Sequence, residues 1–235
     1  MIDFLKVFTK LGVKNPDKWA KSCINNLPKF GIIDNEDQCR FLANTMNESG
    51  KFTKFVESLK YTTEVRLCEV FPSAFGKVIT DPKLFRSDLK TITHPTKGIK
   101  IQLENGKYNR LEYLNQEQKL ANLVYNDNYF PNKKLNNFGP NDGWLYRGRG
   151  SIQCTGKNVY KMISDKSGID FISNPDLLGT EDYAILGACI YWQNGGLSKC
   201  KSLLETRQKV AGNYTNKPFG IEEVTNYYNQ IKGAL

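Results

Sequence analysis

The segment from Asp34 to Gly50 constrains the fold most strongly, because it carries the start, the apolar stripe and the stop of one helix. Asp34 is a favourable N-cap residue, Asp37 follows it by three positions, and Gly50 is a favourable residue just beyond a helix end. The apolar positions between them recur with the spacing of one helical face: Cys39, Leu42, Ala43 and Met46. This pattern predicts an amphipathic helix, with Glu48 projecting away from its core face.

Similar signals recur along the chain and predict a mainly α fold. Asn15 and Pro16 mark a helix start that Gly31 is expected to stop. Further helices are predicted over residues 62–71, 116–125, 156–167, 181–192, 197–210 and 221–235. Residues 99–113 differ, because an alternating stretch leads into a Glu-Asn-Gly turn signal, which predicts a small β-hairpin. No repeat or low-complexity linker appears, so residues 1–235 are predicted to form one domain, with the hairpin as a possible insertion.

Charge and hydropathy narrow the possible partners. The chain has 33 lysine and arginine residues against 24 aspartate and glutamate residues, a formal net charge of +9. Such a surface attracts polyanions, and an acidic cell-wall polymer, an anionic membrane and nucleic acid all qualify. The basic residues are scattered along the sequence, which argues against nucleic acid and leaves an ordinary soluble basic surface as an alternative. No apolar run approaches the roughly 20 residues that span a bilayer, so no stable membrane insertion is expected.

Histidine and cysteine usage narrows the possible chemistry. His94 is the single histidine, which excludes a histidine-rich zinc site and leaves acid–base chemistry mainly to carboxylates. The six cysteines show no metal-ligand spacing, so buried free thiols are favoured over disulfides. No metal ion and no organic cofactor are implied.

Glu48 and Glu57 are nine residues apart and are candidates for a pair of acid–base groups. Inverting hydrolysis of a glycosidic bond needs two carboxyl groups roughly 6.5–9.5 Å apart. In one continuous helix the two would be about 13 Å apart along the axis and out of phase, so the break at Gly50 is needed to bring them to one site. Two ordinary surface glutamates are the alternative, and Glu64 and Glu69 are the other candidates for the second carboxylate.

Two motifs give this pair a context. The first is Asn-Glu-Ser-Gly-x-Phe, followed by Glu-Ser-Leu-x-Tyr, over residues 47–61. The second is Tyr-Arg-Gly-Arg-Gly-Ser-Ile-Gln-Cys-Thr-Gly-x-Asn-x-Tyr over residues 146–160. Their order and separation resemble glycoside hydrolase family 19, the chitinases and chitinase-like phage endolysins, and the resemblance extends over roughly residues 20–235. It implies a lysozyme-like helical domain with a long substrate cleft.

The resemblance also implies roles for individual residues. Glu48 matches the general acid, Glu57 the carboxylate that positions or activates water, and Thr155 the hydroxyl that helps to hold this water. Arg149 matches an arginine that pairs with carboxylates near the site. The predicted substrate-binding residues are Tyr61, Tyr125, Arg149, Gln153, Asn158 and Arg207. Core packing is the alternative for the tyrosines, and phosphate contact is the alternative for the arginine of the Gly-Arg-Gly segment.

The chain departs from the family pattern at two places. Asn47 stands where the family usually has a histidine before the glutamate, which leaves the carboxylates unchanged but alters local hydrogen bonding. The family's Asn-Gly-Gly near the carboxyl end appears here as Ala211-Gly212-Asn213. A sugar contact from Asn213 would therefore come from a shifted position.

The favoured function is an endolysin-type peptidoglycan hydrolase that cleaves the β-1,4 glycan strand by an inverting mechanism. A chitinase is the alternative, and a non-catalytic glycan-binding module and a nucleic-acid-binding protein are less favoured. The amino terminus does not read as a signal peptide. We therefore expect a monomer that is made in the cytoplasm and reaches the cell wall after release. The endolysin resemblance implies that this cytoplasm is that of a phage-infected bacterium.

Overall fold

The computed structural model describes residues 2–235, and helices dominate it. The α-helices in this range are α1 Phe4–Lys10, α2 Pro16–Asn26, α3 Asn35–Ser49, α4 Glu64–Val70, α5 Pro72–Phe75, α6 Glu117–Val124, α7 Asp142–Leu145, α8 Lys157–Ser167, α9 Glu181–Asn194, α10 Leu203–Ala211 and α11 Ile221–Lys232. Short 3-10 helices cover Leu27–Phe30, Pro82–Leu84, Arg110–Tyr113, Pro131–Lys133, Pro175–Gly179 and Leu197–Lys199. The prediction of a mainly α protein is confirmed.

The chain divides into two compact units. The first, here called the helical unit, combines the amino-terminal segment up to Glu57 with Leu145–Leu235. The second, here called the sheet unit, is the intervening segment Ser58–Trp144. Each unit has its own apolar core, one built around α3, α9 and α11 and the other around α4 and α6. That residues 1–235 act as a single catalytic domain stays a prediction.

In the helical unit, α3 begins and ends where the sequence predicts. The side chain of Asp34 accepts hydrogen bonds from the backbone N–H groups of Glu36 and Asp37, at 2.9 and 3.1 Å. Gly50 closes the helix in the left-handed region, with a φ of 56°. A cap at each end fixes both termini, so the last turn, which carries Glu48, has a defined position.

The face of α3 that carries Glu48 is more buried than the apolar stripe predicts. Phe41, Asn44 and Thr45 share this face, and all three are 0% exposed. Phe41 packs edge-on against Trp192 of α9, with ring centroids 5.2 Å apart. The side chains of Asn44 and Thr45 donate to backbone carbonyls one turn earlier, each at 2.9 Å, so their polar groups are satisfied inside the core. The Glu48 side chain, at the end of this face, is 23% exposed.

Some helix boundaries differ from the predictions. The helix predicted over residues 197–210 is two elements, because Ser202 caps α10 by accepting a hydrogen bond from the backbone N–H of Glu205. Asn15 precedes α2 in the left-handed region with a φ of 53° and makes no side-chain cap. α1 was not predicted, since its single apolar turn is too short to give a periodic signal.

The sheet unit contains a three-stranded antiparallel sheet in the order β1, β3, β2. Its strands are β1 Val78–Ile79, β2 Thr91–Thr93 and β3 Lys100–Leu103. β3 pairs Leu103 with Val78 on one side and Ile101 with Ile92 on the other. Ile101 is fully buried, which fixes the face that β3 turns toward the core.

The predicted β-hairpin over residues 99–113 is wrong. β3 does supply a strand there, but both of its partners precede it in the chain. After β3, Gly106 packs against the backbone of Phe75, where an added Cβ would lie 2.1 Å from the carbonyl carbon. Asn109 then accepts a hydrogen bond from the backbone N–H of Leu111 and starts a 3-10 helix. This close approach and this cap lead the chain away from the sheet, so no second strand forms.

Two sequence expectations concern membranes and thiols. Among the helices of residues 2–235, none is long and apolar enough to cross a membrane.

All six cysteines lie in the described part of the chain, and each is a buried free thiol. Burial raises the pKa of the Cys39 thiol to about 11 and that of the Cys154 thiol to about 12. Such thiols behave as small core residues rather than as nucleophiles.

Candidate active site

The chain reverses direction immediately after α3, as the break at Gly50 predicts. Gly50, Lys51 and Phe52 all adopt positive φ angles, of 56°, 57° and 60°. The backbone N–H of Phe52 donates to the hydroxyl of Ser49 at 2.9 Å, and its ring stacks on Trp19 with centroids 5.0 Å apart. A buried aromatic thus holds an unfavourable backbone conformation in place. After this turn the chain leaves the axis of α3 and continues to Glu57.

Glu48 is held by a buried arginine from the other end of the helical unit. Its Oε1 accepts a hydrogen bond from Nη1 of Arg207 at 2.5 Å and a longer one from the amide of Asn47 at 3.4 Å. Within residues 2–235, no hydrogen bond from the protein reaches Oε2 of Glu48. One carboxylate oxygen is therefore fixed by the protein, while the other is free to meet a ligand.

Arg207 is anchored inside the fold. Its side chain is 6% exposed, its Nε donates to the carbonyl of Phe219 at 2.5 Å, and its Nη1 also reaches Oδ1 of Asn44 at 3.4 Å. The planar guanidinium suits several acceptors in fixed directions. Burial and these contacts hold the guanidinium against Glu48, and the substrate contact predicted for Arg207 stays a prediction.

Glu57 is held by backbone. Its N–H donates to the carbonyl of Gly148 at 3.0 Å, and the N–H of Gly148 donates to its Oε1 at 2.5 Å. A Cβ on Gly148 would lie 3.2 Å from that oxygen and 3.0 Å from Oε1 of Gln153, so a larger residue would press on both side chains. The charge-assisted hydrogen bond from the Gly148 N–H therefore fixes the position of the carboxylate.

Arg149 stabilises the segment that supplies these groups. It is 1% exposed and donates to the carbonyl of Leu145 at 2.6 Å, to the hydroxyl of Tyr160 at 2.9 Å and to Asp176 at 2.5 Å. The predicted pairing of Arg149 with a carboxylate is present, and the partner is Asp176. The guanidinium of Arg149 is buried and holds the loop, and its predicted place among the substrate-binding residues stays a prediction.

Arg147 lies on the same loop, near Glu57. Burial lowers the pKa of the Arg147 guanidinium, and the positive charge of Arg149 lowers it further. The carboxylate of Glu57 acts in the opposite direction on the pKa of Arg147, which places a cation within electrostatic reach of this glutamate. An arginine remains charged even so, and its field adds to that of the Gly148 N–H group.

Gln153, Thr155 and Asn158 follow on the same segment. Gln153 has a φ of 55°, and its side-chain amide donates to the carbonyl of Gly150 at 3.1 Å. The hydroxyl of Thr155 donates to the carbonyl of Gln153 at 3.1 Å. Asn158 is exposed in the first turn of α8. The helical unit thus contains Glu48, Glu57 and most of the predicted site residues, and Gln153 lies beside Glu57.

Tyr61 and Tyr125 belong to the sheet unit, and both are half-buried. The ring of Tyr61 packs edge-on against Phe71 with centroids 5.6 Å apart. Lys133 lies 4.9 Å from the ring centroid of Tyr125. Both tyrosines contribute to the local packing of the sheet unit, so packing accounts for one face of each ring. Their substrate contacts stay predictions.

The alternative carboxylates, Glu64 and Glu69, form ion pairs within the sheet unit. Glu64 accepts from Nε of Arg110 at 3.0 Å. Glu69 lies 2.9 Å from Nζ of Lys97 and 3.1 Å from Nε2 of His94. These contacts hold the pKa of Glu69 down at about 2, with Lys97 the largest cause and His94 the next. His94 is 3% exposed, and its Nδ1 accepts from the backbone, so the single histidine caps a loop.

Three contributors to the site were missed by reasoning from the sequence. Gly148 has no side chain and was not singled out, although its N–H binds the carboxylate of Glu57. Asn44 and Asp176 were not singled out, although they hold Arg207 and Arg149. A buried amide on the Glu48 face of α3 was the available signal for Asn44. Across residues 2–235, no group of three histidine, cysteine or acidic side chains is arranged to hold a metal ion.

Comparison with known proteins bears on the fold and the class of this chain. No protein-family model matches the chain. A glycosyl hydrolase family 19 domain-containing protein from Haemophilus influenzae is 26% identical over 205 residues, which cover 87% of this chain and 83% of that protein. A bacterial family 19 chitinase of known structure has a TM-score of 0.50 at 14% identity, over 99% of this chain and 94% of the other. Chitinase C from Streptomyces griseus has a TM-score of 0.48 at 15% identity, over 100% of this chain and 78% of the other.

The fold and the sequence relative define the class of this protein as a glycoside hydrolase. The resemblance to glycoside hydrolase family 19 is confirmed, and with it the mainly α, chitinase-like and lysozyme-like fold. The phage endolysin link, the long substrate cleft and the roles of the site residues stay predictions.

Proposed function

We propose that this protein is an endolysin-type peptidoglycan hydrolase that cleaves the β-1,4 glycan strand by an inverting mechanism. The observation that carries the proposal is the contrast in how Glu48 and Glu57 are held. Arg207 fixes one oxygen of Glu48 and leaves the other open, while the N–H of Gly148 binds Glu57 directly. Two carboxyl groups in different surroundings are what an acid and a base require.

In this mechanism Glu48 is the proton donor. Arg207 and Asn47 hold Oε1, so the proton is carried by Oε2 and passes to the glycosidic oxygen as the bond to the anomeric carbon breaks.

Glu57 is the base that activates water. The N–H of Gly148 donates to its Oε1 and fixes its orientation, and the guanidinium of Arg147 lies within electrostatic reach. Glu57 removes a proton from a water molecule as that water attacks the anomeric carbon from the face opposite the leaving group, which inverts the configuration. The hydroxyl of Thr155, on the segment beside Glu57, helps to hold this water.

Two considerations support peptidoglycan as the substrate over chitin. The net charge of +9 favours an anionic wall over a neutral polymer. The motifs also resemble those of compact endolysins. Chitin hydrolysis is the second candidate, because the solved structures of similar fold are chitinases.

Digestion of purified peptidoglycan and of chitin, with mass analysis of the products, tests the proposal. We expect peptidoglycan fragments with a new reducing end at N-acetylmuramic acid, released as the α-anomer. Chitin fragments alone would establish a chitinase instead. Anhydro products would establish a lytic transglycosylase, and retention of the β-anomer would exclude the inverting mechanism.

A further inference from the structure

Two large aromatic side chains are exposed on the loop between α10 and α11. Tyr214 and Phe219 are each 73% exposed, the highest exposure among the large hydrophobic side chains of residues 2–235. Single exposed aromatics are common on protein surfaces, so exposure alone assigns no role. The attachments of this loop to the helical unit give these two residues a place in the site.

Phe219 lies between two fixed neighbours. Pro218 before it is buried, and the N–H of Ile221 donates to the carbonyl of Pro218 at 3.2 Å. Gly220 after it has a φ of 73° and begins α11. The backbone is therefore anchored on both sides of Phe219, and its ring is presented to solvent from a defined position.

The backbone of Phe219 is connected to Glu48 through a single side chain. Its carbonyl accepts from Nε of Arg207 at 2.5 Å, and Nη1 of the same guanidinium donates to Glu48 at 2.5 Å. A Cβ on Gly220 would lie 3.1 Å from Nη2 of Arg207 and 3.2 Å from the amide nitrogen of Asn47. The guanidinium of Arg207 therefore bridges the backbone of Phe219 and Glu48, the proposed proton donor.

Tyr214 lies on the same loop as Phe219, between α10 and α11. Its neighbour Thr215 is held by Gln208, whose side-chain amide donates to the Thr215 carbonyl at 2.8 Å. Burial raises the pKa of Tyr191, and negative charge on Cys154, Tyr214 and Glu48 raises it further, in that order. The phenol of Tyr214 and the carboxylate of Glu48 therefore both lie within electrostatic reach of Tyr191.

Aromatic rings beside a carboxylate suit a sugar. The two faces of a pyranose ring present C–H groups, which pack against an aromatic face, while the hydroxyl and acetamido groups at the rim keep their hydrogen bonds to water or to polar side chains. Aromatic side chains supply this contact area at low conformational cost. Asn47 and Asn213 offer amides close to the same loop for the polar rim.

We propose that Tyr214 and Phe219 form a stacking platform for an N-acetylhexosamine ring of the glycan strand, next to Glu48. This inference rests on the proposed function, because the glycan substrate is the occupant. A sugar seated on the platform packs on the residue whose carbonyl holds Arg207. Sugar binding and the orientation of Glu48 are therefore coupled through one guanidinium.

Binding can be measured apart from cleavage. In a Glu48→Gln background, isothermal titration calorimetry with peptide-free glycan strands and with the N-acetylglucosamine hexasaccharide gives the affinity directly. We expect Phe219→Ala and Tyr214→Ala each to weaken binding about tenfold. Phe219→Trp keeps an aromatic face and should bind within about threefold of the parent, whereas Phe219→Leu should lose as much as the alanine variant.

Ile33→Ala is the matched control, because Ile33 is 64% exposed and lies at the opposite end of α3, roughly 20 Å along the axis from Glu48.

Unchanged affinity in Phe219→Ala and Tyr214→Ala would overturn the platform and leave the proposed hydrolase activity untouched. Aromatic-dependent binding by a protein that cleaves no glycan would overturn the proposed function and keep the platform. If neither glycan binds, both proposals fail. A dimer that dissociates on Phe219→Ala, seen by sedimentation, would assign the two rings to a second copy of the chain.

Discussion

The helical unit and the sheet unit each contain a pair of glutamates, and the two pairs have different surroundings. Glu48 and Glu57 are held by a buried arginine and by a backbone N–H. Glu64 and Glu69 form ion pairs with cations on neighbouring segments. Glu69 in particular contacts the side chains of Arg66 and Lys97, which are 61% and 56% exposed.

Glu48 and Glu57 are held in defined positions, whereas Glu64 and Glu69 are neutralised by ion pairs. A donor anchored in the core sets a direction for the carboxylate and leaves its other oxygen open. Arg66 and Lys97 are exposed cations that fix the direction of Glu69 less firmly, and exposed ion pairs contribute little to stability. Sequence spacing alone cannot make this distinction, because all four glutamates fall within residues 48–69.

The largest effect is expected from Glu48→Gln. The glutamine keeps an acceptor for Arg207 but has no proton to donate, so kcat for peptidoglycan hydrolysis should fall by about 10³-fold or more. Turbidity loss of purified cell walls measures the rate, and circular dichroism should show an unchanged fold. Full lytic activity would remove Glu48 from the mechanism. Glu64→Gln is the matched control and should retain activity.

Glu57→Gln should have the next largest effect. The amide oxygen still accepts from the Gly148 N–H, so the loop keeps its structure, but no base remains to activate water. We expect kcat to fall by about 10²-fold or more, with KM changed little. A wild-type rate would show that the second carboxylate lies elsewhere, with Glu64 and Glu69 as the remaining candidates.

Arg207→Lys tests whether positioning matters as much as charge. Lysine keeps the positive charge but cannot reach both the Phe219 carbonyl and Glu48 with one planar group. We expect a fall in kcat of about 10- to 100-fold and a smaller change in KM. The same exchange at the exposed Arg66, which pairs with Glu69, should leave both constants unchanged. Equal behaviour of the two variants would contradict a special role for the buried arginine.

Glu69→Gln should leave activity intact and alter stability in acid. The pKa of Glu69 lies at about 2, below its unfolded value of 4.5. Between these two values the unfolded state binds more protons, so the stabilisation is present above pH 4.5 and is lost as the pH falls toward about 2. Removal of the carboxyl group should abolish about 2 kcal/mol of this pH dependence. Urea unfolding at pH 7, 4 and 3 measures it, and an unchanged slope against pH would refute the ion-pair assignment.

The elements with strong local signals could be predicted from the sequence. The cap at Asp34, the stop at Gly50 and the apolar helix that became α9 formed as expected. The reversal after Gly50 was also predicted, although its stabilisation by stacking of Phe52 on Trp19 was not. The hairpin failed because a turn signal does not specify which strand a strand will pair with, and β3 found its partners earlier in the chain.

By itself the sequence determined the helices, the carboxylates and the family resemblance, because caps, apolar spacing and short motifs are local properties of the chain. The tertiary structure decided which partner each carboxylate has. Arg207 is 159 residues from Glu48, and Gly148 is 91 residues from Glu57. No local propensity encodes contacts over such separations. They form because burial of the core brings these segments together, and that burial turns two glutamates at ordinary spacing into a candidate acid and base.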